Sequence, residues 1–311
     1  MSSTDEHDGP SAGTRSKKKR VLANISNTVK NNEMRRESGR NGKPKAQKRS
    51  SDDAAEQTAP ESDYSKSWHS LNRRNEVKFQ VDASYMKRQP FISAKLRFRL
   101  IDCLEEVHIK FQLVPEVLHL AVNLLDRFMC HRPVHSNRVL LLGMTCLLLA
   151  AKFEDANHFT ITDLVAVNNC SFTRKEVLET ESRMCRILQH QLLVPTVYHF
   201  LSCYFQVFPA SERFIQLACY LGERVLHEYT MLRFMPSAIA ATIVRACRKT
   251  FQVSPSWNSA LLAFSGYEEC DLEECAIEIR DILESPFDRF IVHKKYAEAE
   301  VYKVALITVT V

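Results

Sequence analysis

Val139-Leu140-Leu141-Leu142-Gly143-Met144-Thr145-Cys146-Leu147-Leu148-Leu149-Ala150-Ala151 contains no charged side chain, and Lys152 closes it. A helix that is apolar on every side either crosses a membrane or forms the centre of a helical bundle. A crossing needs about 18 such residues or more, so this stretch is read as the buried central helix of a bundle.

The flanks carry helical periodicity. Upstream, Leu96, Leu100, Leu104, Val107 and Phe111 recur at spacings of three and four, with Ser93 as N-cap and Pro90 before it. Val117, Leu118, Ala121, Val122, Leu125, Phe128 and Met129 form a second stripe, opened by Pro115. Downstream, a short helix is expected over about 160–167. Another starts at Thr173, where Glu176 completes a capping box. Pro195, Pro209, Pro236, Pro255 and Pro286 punctuate further helical stripes. No useful strand alternation occurs before Val304–Val311, which is expected to be an extended tail packed on the body.

A shift of 97 residues superimposes the chain on itself. Leu120-Ala121 falls on Leu217-Ala218, Asp126-Arg127 on Glu223-Arg224, Thr145 on Thr242, Lys152 on Lys249, Ala166 on Ala263 and Glu181 on Glu278. Gly143 falls on Ala240, so both central helices carry a small residue at the same point. Period and helix count imply an all-α protein of two tandem five-helix domains.

Composition narrows the function. Of the 7 glycines, Gly9, Gly13, Gly39 and Gly42 lie near the N-terminus, leaving Gly143, Gly222 and Gly266 for the rest. That spacing rules out the glycine-rich loops that wrap a nucleotide phosphate. The net charge of +5 is uneven: residues 1–50 hold 13 of the 42 Lys and Arg and 5 of the 37 Asp and Glu, a net of +8, leaving −3 for the remainder. A mildly acidic body does not suit nucleic acid, and no direct nucleic-acid contact is expected. The 10 cysteines form no C-x-x-C pair, and the 11 histidines form no H-E-x-x-H; Pro133 interrupts His131 and His135. No metal or cofactor is therefore expected. The N-terminus lacks an apolar signal segment, so reduced cysteines in the nucleus and cytoplasm are expected, with no membrane partner.

Only 13 of the first 64 residues are apolar, too few to offset the entropy of ordering. Lys17, Lys18, Lys19 and Arg20 form a basic cluster that reads as a nuclear import signal or a solvated charge run.

Three charges fall on faces that periodicity assigns to the core: Asp126 beside Leu125, Glu181 between Val177 and Met184, and Lys152. A buried lone charge is costly, so each must be paired or emerge at a contact surface. Arg97, on the face of Ile101 and Leu104, is the candidate partner of Asp126, as a structural ion pair.

These residues resemble the cyclin family, its mitotic A- and B-type members in particular. Tyr85-Met86-Lys87-Arg88-Gln89-Pro90, Leu96-Arg97 and Leu100-Ile101-Asp102-Cys103-Leu104 are similar to the opening of a cyclin box. Leu118 to Asn123 with Asp126-Arg127-Phe128, Leu148 to Glu154, Glu181, Pro195-Thr196, Pro236-Ser237, Gly266-Tyr267 and Lys295-Tyr296 continue the match in order, over about residues 85–308. Residues 85–90 lean towards the A-type. The resemblance implies a disordered basic regulatory tail over 1–76, a first box with its lead-in over 77–193, a second box over 194–290 and a C-terminal tail over 291–311.

It also implies a non-catalytic regulatory subunit that binds and activates a cyclin-dependent serine/threonine protein kinase, controlling the cell cycle at G2/M. Lys152, Phe153, Glu181 and Leu192 are the implied kinase-binding residues. Leu96, Leu100, Cys103 and Leu140 fall on the family's patch for Arg-x-Leu substrate motifs. That patch departs from pattern: Cys103 replaces the usual tryptophan, Arg99 an apolar residue and Leu140 a glutamine. His190 replaces an aromatic residue of the kinase contact. Lys19, Leu22, Ile25 and Asn27 have the spacing of a destruction box, which implies ubiquitin-ligase machinery as a second partner. The rival reading is a cyclin-box transcription factor of the transcription factor IIB type; such a protein usually carries an N-terminal zinc ribbon, and residues 1–70 hold no cysteine.

Overall fold

The uncharged apolar run becomes helix α4, Val139–Glu154, in which every residue from Leu141 to Ala151 is buried. The computed structural model describes residues 60–155, 159–167, 172–285 and 290–311. Around α4 stand α2 (Ala94–Lys110), α3 (Pro115–His131), α5 (Ile161–Ala166) and α6 (Arg174–Ile187). The second domain consists of α7 (Val197–Val207), α8 (Glu212–Leu226), α9 (Pro236–Thr250), α10 (Ser259–Ser265) and α11 (Glu273–Glu284). Helices α1 (Pro60–Glu76) and α12 (Ile291–Tyr296) flank the pair. No strand occurs among the described residues, and the two five-helix sets belong to one compact unit, Thr58–Val311.

Local signals place the helix starts. Ser93 Oγ accepts the Leu96 N–H at 3.2 Å. Prolines occupy the first turns of α3 and α9, where no N–H partner is needed. Thr173 and Glu176 form the capping box of α6, and Thr160 with Asp163 forms that of α5. Gly143 lets α4 approach α2: a Cβ there would lie 2.9 Å from Leu100 Cδ1.

Helix α4 packs most extensively on α3, then on α6 and α2. Ser136–Glu154 is the one described stretch long and apolar enough to cross a membrane, but 67% of its most apolar window is buried inside the protein. That burial makes it a core helix.

The chain departs from its sequence reading at both ends. Pro60–Glu76 was expected within the tail, yet it is helical and docks on the second domain. Ser65 Oγ donates to Gln206 Oε1 at 3.0 Å, and the His69 ring packs on Phe264 with centroids 4.4 Å apart. Arg73 donates to the Ser265 carbonyl and lies over the Tyr267 ring. Glu76 accepts from the Ser237 N–H and hydroxyl. The docked side chains are polar, and their partners lie 141–192 residues away, so no apolar stripe announced the helix.

At the other end, Val304 is fully buried within a single 3₁₀ turn, Val304–Leu306, where an extended tail was expected. Its backbone closes on itself rather than on a neighbouring strand: the Leu306 N–H reaches the Lys303 carbonyl. The tail motifs at Lys17, Lys18, Lys19, Arg20, Leu22, Ile25 and Asn27 lie outside the described residues.

Candidate functional site: the exposed end of the central helix

Helix α4 is apolar until its last turn, where Lys152 and Phe153 emerge. Lys152 Nζ donates to Glu181 Oε1 of α6 at 2.6 Å. The two side chains remain 34% and 16% exposed, so the pair lies at the surface. Such a pair adds about 0–1 kcal/mol to stability at most. Its position matters more, because the surroundings are apolar and open. Phe153 is 47% exposed, and Leu178, one turn before Glu181, is 44% exposed.

After α6 the chain turns through Gln189 and His190, both in the left-handed region at φ 52° and 56°. It then presents half-buried Leu192 and Leu193, which is 71% exposed. Arg127 of α3 braces this turn by donating to the Gln191 carbonyl at 2.9 Å. The result is a surface ion pair with exposed apolar side chains on the helices and turn that carry it, the composition of a contact surface. Leu178 and Leu193 were missed in the sequence. Each directly follows a residue with an assigned role, Val177 and Leu192, and the pattern by itself does not show an adjacent leucine pointing outward.

Arg97 and Asp126 form a bidentate pair beneath the surface. Arg97 Nε reaches Asp126 Oδ1 at 2.8 Å and Nη2 reaches Oδ2 at 2.7 Å, with both side chains 1% exposed. Tyr85 donates its hydroxyl to Asp126 Oδ1 at 2.8 Å. The remaining guanidinium nitrogen, Nη1, donates to the Leu226 and His227 carbonyls at the end of α8. Burial alone would push the Arg97 pKa down; the Asp126 carboxylate overrides it and raises it, keeping the guanidinium charged. The pair thus ties three elements of the first domain to the second.

The expected docking patch is uneven. Cys103 is exposed, Leu140 is 38% exposed and Leu96 is half-buried. Leu100 is 4% exposed because it lies beneath Gly143, so it offers core packing and little surface. Arg99 is exposed on the same helix.

The profile of the cyclin N-terminal domain matches residues 67–193, and that of the cyclin C-terminal domain matches residues 195–310. The chain belongs to the cyclin family. Among its relatives, Cyclin-B2-1 of Arabidopsis thaliana is 40% identical over 196 residues, 63% of this chain and 46% of that protein. G2/mitotic-specific cyclin-2 of Medicago sativa is 34% identical over 215 residues, 69% of this chain and 66% of that protein. The chain spans about half the length of the Arabidopsis cyclins it matches. Several of these relatives carry B-type names, against the A-type lean read from residues 85–90. The fold is similar to the crystal structure of a viral cyclin from Herpesvirus saimiri, with a TM-score of 0.63 at 17% identity, covering 70% of this cyclin and 97% of that chain. It is also similar to a chain of the yeast RNA polymerase II CTD kinase complex, with a TM-score of 0.56 at 14% identity, covering 71% and 75%.

Proposed function

We propose that this cyclin binds and activates a cyclin-dependent serine/threonine protein kinase through the Lys152–Glu181 surface and acts at G2/M. The observation that carries the reading is the exposed ion pair at the end of an otherwise uncharged core helix, with Phe153 and Leu178 open to solvent on the two helices that hold it and Leu193 open on the turn that follows α6. The mitotic names of several relatives support the timing.

The physics is a population shift. A protein kinase is active only when its catalytic lysine meets a helix-borne glutamate and its activation loop is ordered. A rigid face that binds only this arrangement raises its population. Moving it from about 1% to about 99% needs about 5.5 kcal/mol of differential binding. An interface of about 2,000 Å² with aromatic and aliphatic anchors can supply that. Phe153, Leu192 and Leu193 would be the anchors, and the ion pair would set the register.

The tail belongs to the same proposal. Lys17 to Arg20 would direct nuclear import, giving a protein of nucleus and cytoplasm. Lys19, Leu22, Ile25 and Asn27 would present the chain to ubiquitin-ligase machinery. A short motif of this kind loses its conformational entropy only on contact.

The test is reconstitution with a cyclin-dependent kinase and measurement of phosphate transfer to a peptide substrate. Activation by the parent chain, with loss for Lys152→Glu combined with Glu181→Lys, is the expected result. The swap keeps an internal pair and so keeps the fold. Full activation by the double variant would refute the assignment.

A further inference from the structure

One end of the first box is basic, although the chain beyond residue 50 is net acidic. Residues 87–101 and 131–140 contain no Asp or Glu. Lys87, Arg88, Lys95, Arg99, Arg132 and Arg138 are all exposed there. Arg88 is matched by Asp82 and Arg138 by Glu176. The other four have no ion pair among the described residues.

The two stretches form one surface. Gln89 Nε2 donates to the Met129 and Arg132 carbonyls, each at 2.7 Å, and Gln89 Oε1 accepts the Val134 N–H at 2.9 Å. Phe91 stacks on His135 with centroids 3.9 Å apart. Further along, Leu100 of α2 meets Gly143 of α4. Between those two contacts lie half-buried Leu96 and exposed Leu140. Phe91 and Cys103 are exposed as well. The cations therefore stand around an open apolar floor, the composition of a contact surface for a protein chain.

We propose that this surface docks an extended acidic peptide carrying an apolar side chain beside its acids. The register follows from α2, on which Lys95, Arg99 and Cys103 recur every four residues and are all exposed. Four residues of α-helix advance about 6 Å. Alternate residues of an extended chain advance about 6.6 Å along one side. Two peptide acids two residues apart thus meet Lys95 and Arg99, and the next residue on that side reaches uncharged Cys103. Glu106, exposed one turn further on, limits the acid-accepting part to the N-terminal half of α2.

Charge selects the occupant. The chain's own N-terminal 50 residues carry a net of +8 and are repelled. Arginine-bearing segments of the Arg-x-Leu kind are repelled by Lys95 and Arg99 in the same way, so the preference here is the reverse. A nucleic-acid backbone would meet the cations but leave Phe91 and Leu140 uncovered. The surface stands at the opposite end of α4 from Lys152, about 18 Å along the helix, so a peptide bound here leaves that end open.

The experiment measures binding of a dye-labelled Gly-Glu-Ser-Glu-Ser-Leu-Gly peptide, and of the same sequence reversed, to the full chain by fluorescence anisotropy. Expected is binding in one of the two directions, weakened at least about tenfold between about 50 mM and about 500 mM salt. Lys95→Glu with Arg99→Glu changes two exposed side chains and should keep the helical circular-dichroism signal. It should lose at least about tenfold in affinity for this peptide and gain binding to the Gly-Lys-Ser-Lys-Ser-Leu-Gly counterpart. Replacing the peptide leucine by serine should weaken binding to the parent chain at least about threefold. Unchanged binding in the double variant would place the peptide on the basic N-terminal segment and overturn the proposal. Equal binding of the serine peptide, or no binding in either direction at millimolar concentration, would overturn it too. A short DNA duplex that binds more tightly than the peptide and loses as much in the double variant would assign the surface to nucleic acid instead.

Discussion

The two cyclin boxes place an acidic residue at the same buried point and pair it differently. Asp126 on α3 and Glu223 on α8 stand 97 residues apart, and both are essentially without solvent contact. Asp126 takes a bidentate arginine from the first helix of its own box. Glu223 takes Lys295 from α12, which follows the five helices of the second box, together with the Tyr296 hydroxyl at 3.0 Å. The second repeated acid behaves likewise. Glu181 pairs with Lys152 at 2.6 Å, whereas Glu278 pairs with Arg233 at 2.7 Å although Lys249 stands at the position equivalent to Lys152. A buried carboxylate must be paired, but burial does not dictate which element supplies the cation. Divergence between the boxes therefore lies in the partners while the acids are retained.

The largest expected effect separates the two exposed pairs. Under the proposed function, Lys152→Glu with Glu181→Lys should lower kinase activation by about 100-fold or more, the size of an interface hot spot. Arg233→Glu with Glu278→Arg, the exposed pair of the second box, should change it by about twofold at most. Equal losses from the two swaps, measured as phosphate-transfer rates, would show that the surface is not confined to the first box.

Next come the buried pairs. Asp126→Ala should cost about 3–5 kcal/mol in a denaturant melt, because the Arg97 guanidinium is left uncompensated. Asp126→Leu combined with Arg97→Met should cost much less. A melt of Asp126→Ala that coincides with the parent would contradict the burial.

Lys295→Met should cost less than Asp126→Ala, about 2 kcal/mol. Glu223 would keep the Tyr296 hydroxyl, and Lys295 itself is 21% exposed. If Lys295→Met proved the costlier of the two in the same melt, the C-terminal helix would be the stronger fastening of the boxes.

The smallest effect concerns docking of α1. Burial, and secondarily Arg73, hold His69 down at about 4 from an ordinary 6.5. The unfolded chain therefore takes up this proton first. His69 makes stability fall as pH drops from 6.5 to about 4, with no further loss from this residue below. His69→Leu should flatten the dependence of melting temperature on pH in that window by one proton's worth. An unaltered slope would show that His69 is accessible in the folded protein.

Much of this architecture was legible in the residues. The uncharged run of α4, the capping box at Thr173 and the prolines opening α3 and α9 are local signals, because helix starts and apolar faces arise from neighbours three and four residues apart. The placing of Arg97 against Asp126 was accessible for a related reason: two charges on core faces of consecutive helices have few other partners. Docking of α1 was not accessible. Ser65, His69 and Glu76 are polar, and periodicity counts only apolar burial.

The sequence by itself determined an all-helical chain, its internal repeat and the few charges that had to find partners, since each follows from spacing and from the cost of burying charge. Tertiary structure alone decided that Lys295 of α12 rather than a residue of the five helices α7–α11 reaches Glu223, that Leu100 lies beneath Gly143, and that Glu105 meets His227. Those contacts join residues 43 to 122 positions apart, and no local pattern encodes such a pairing until the helices are packed.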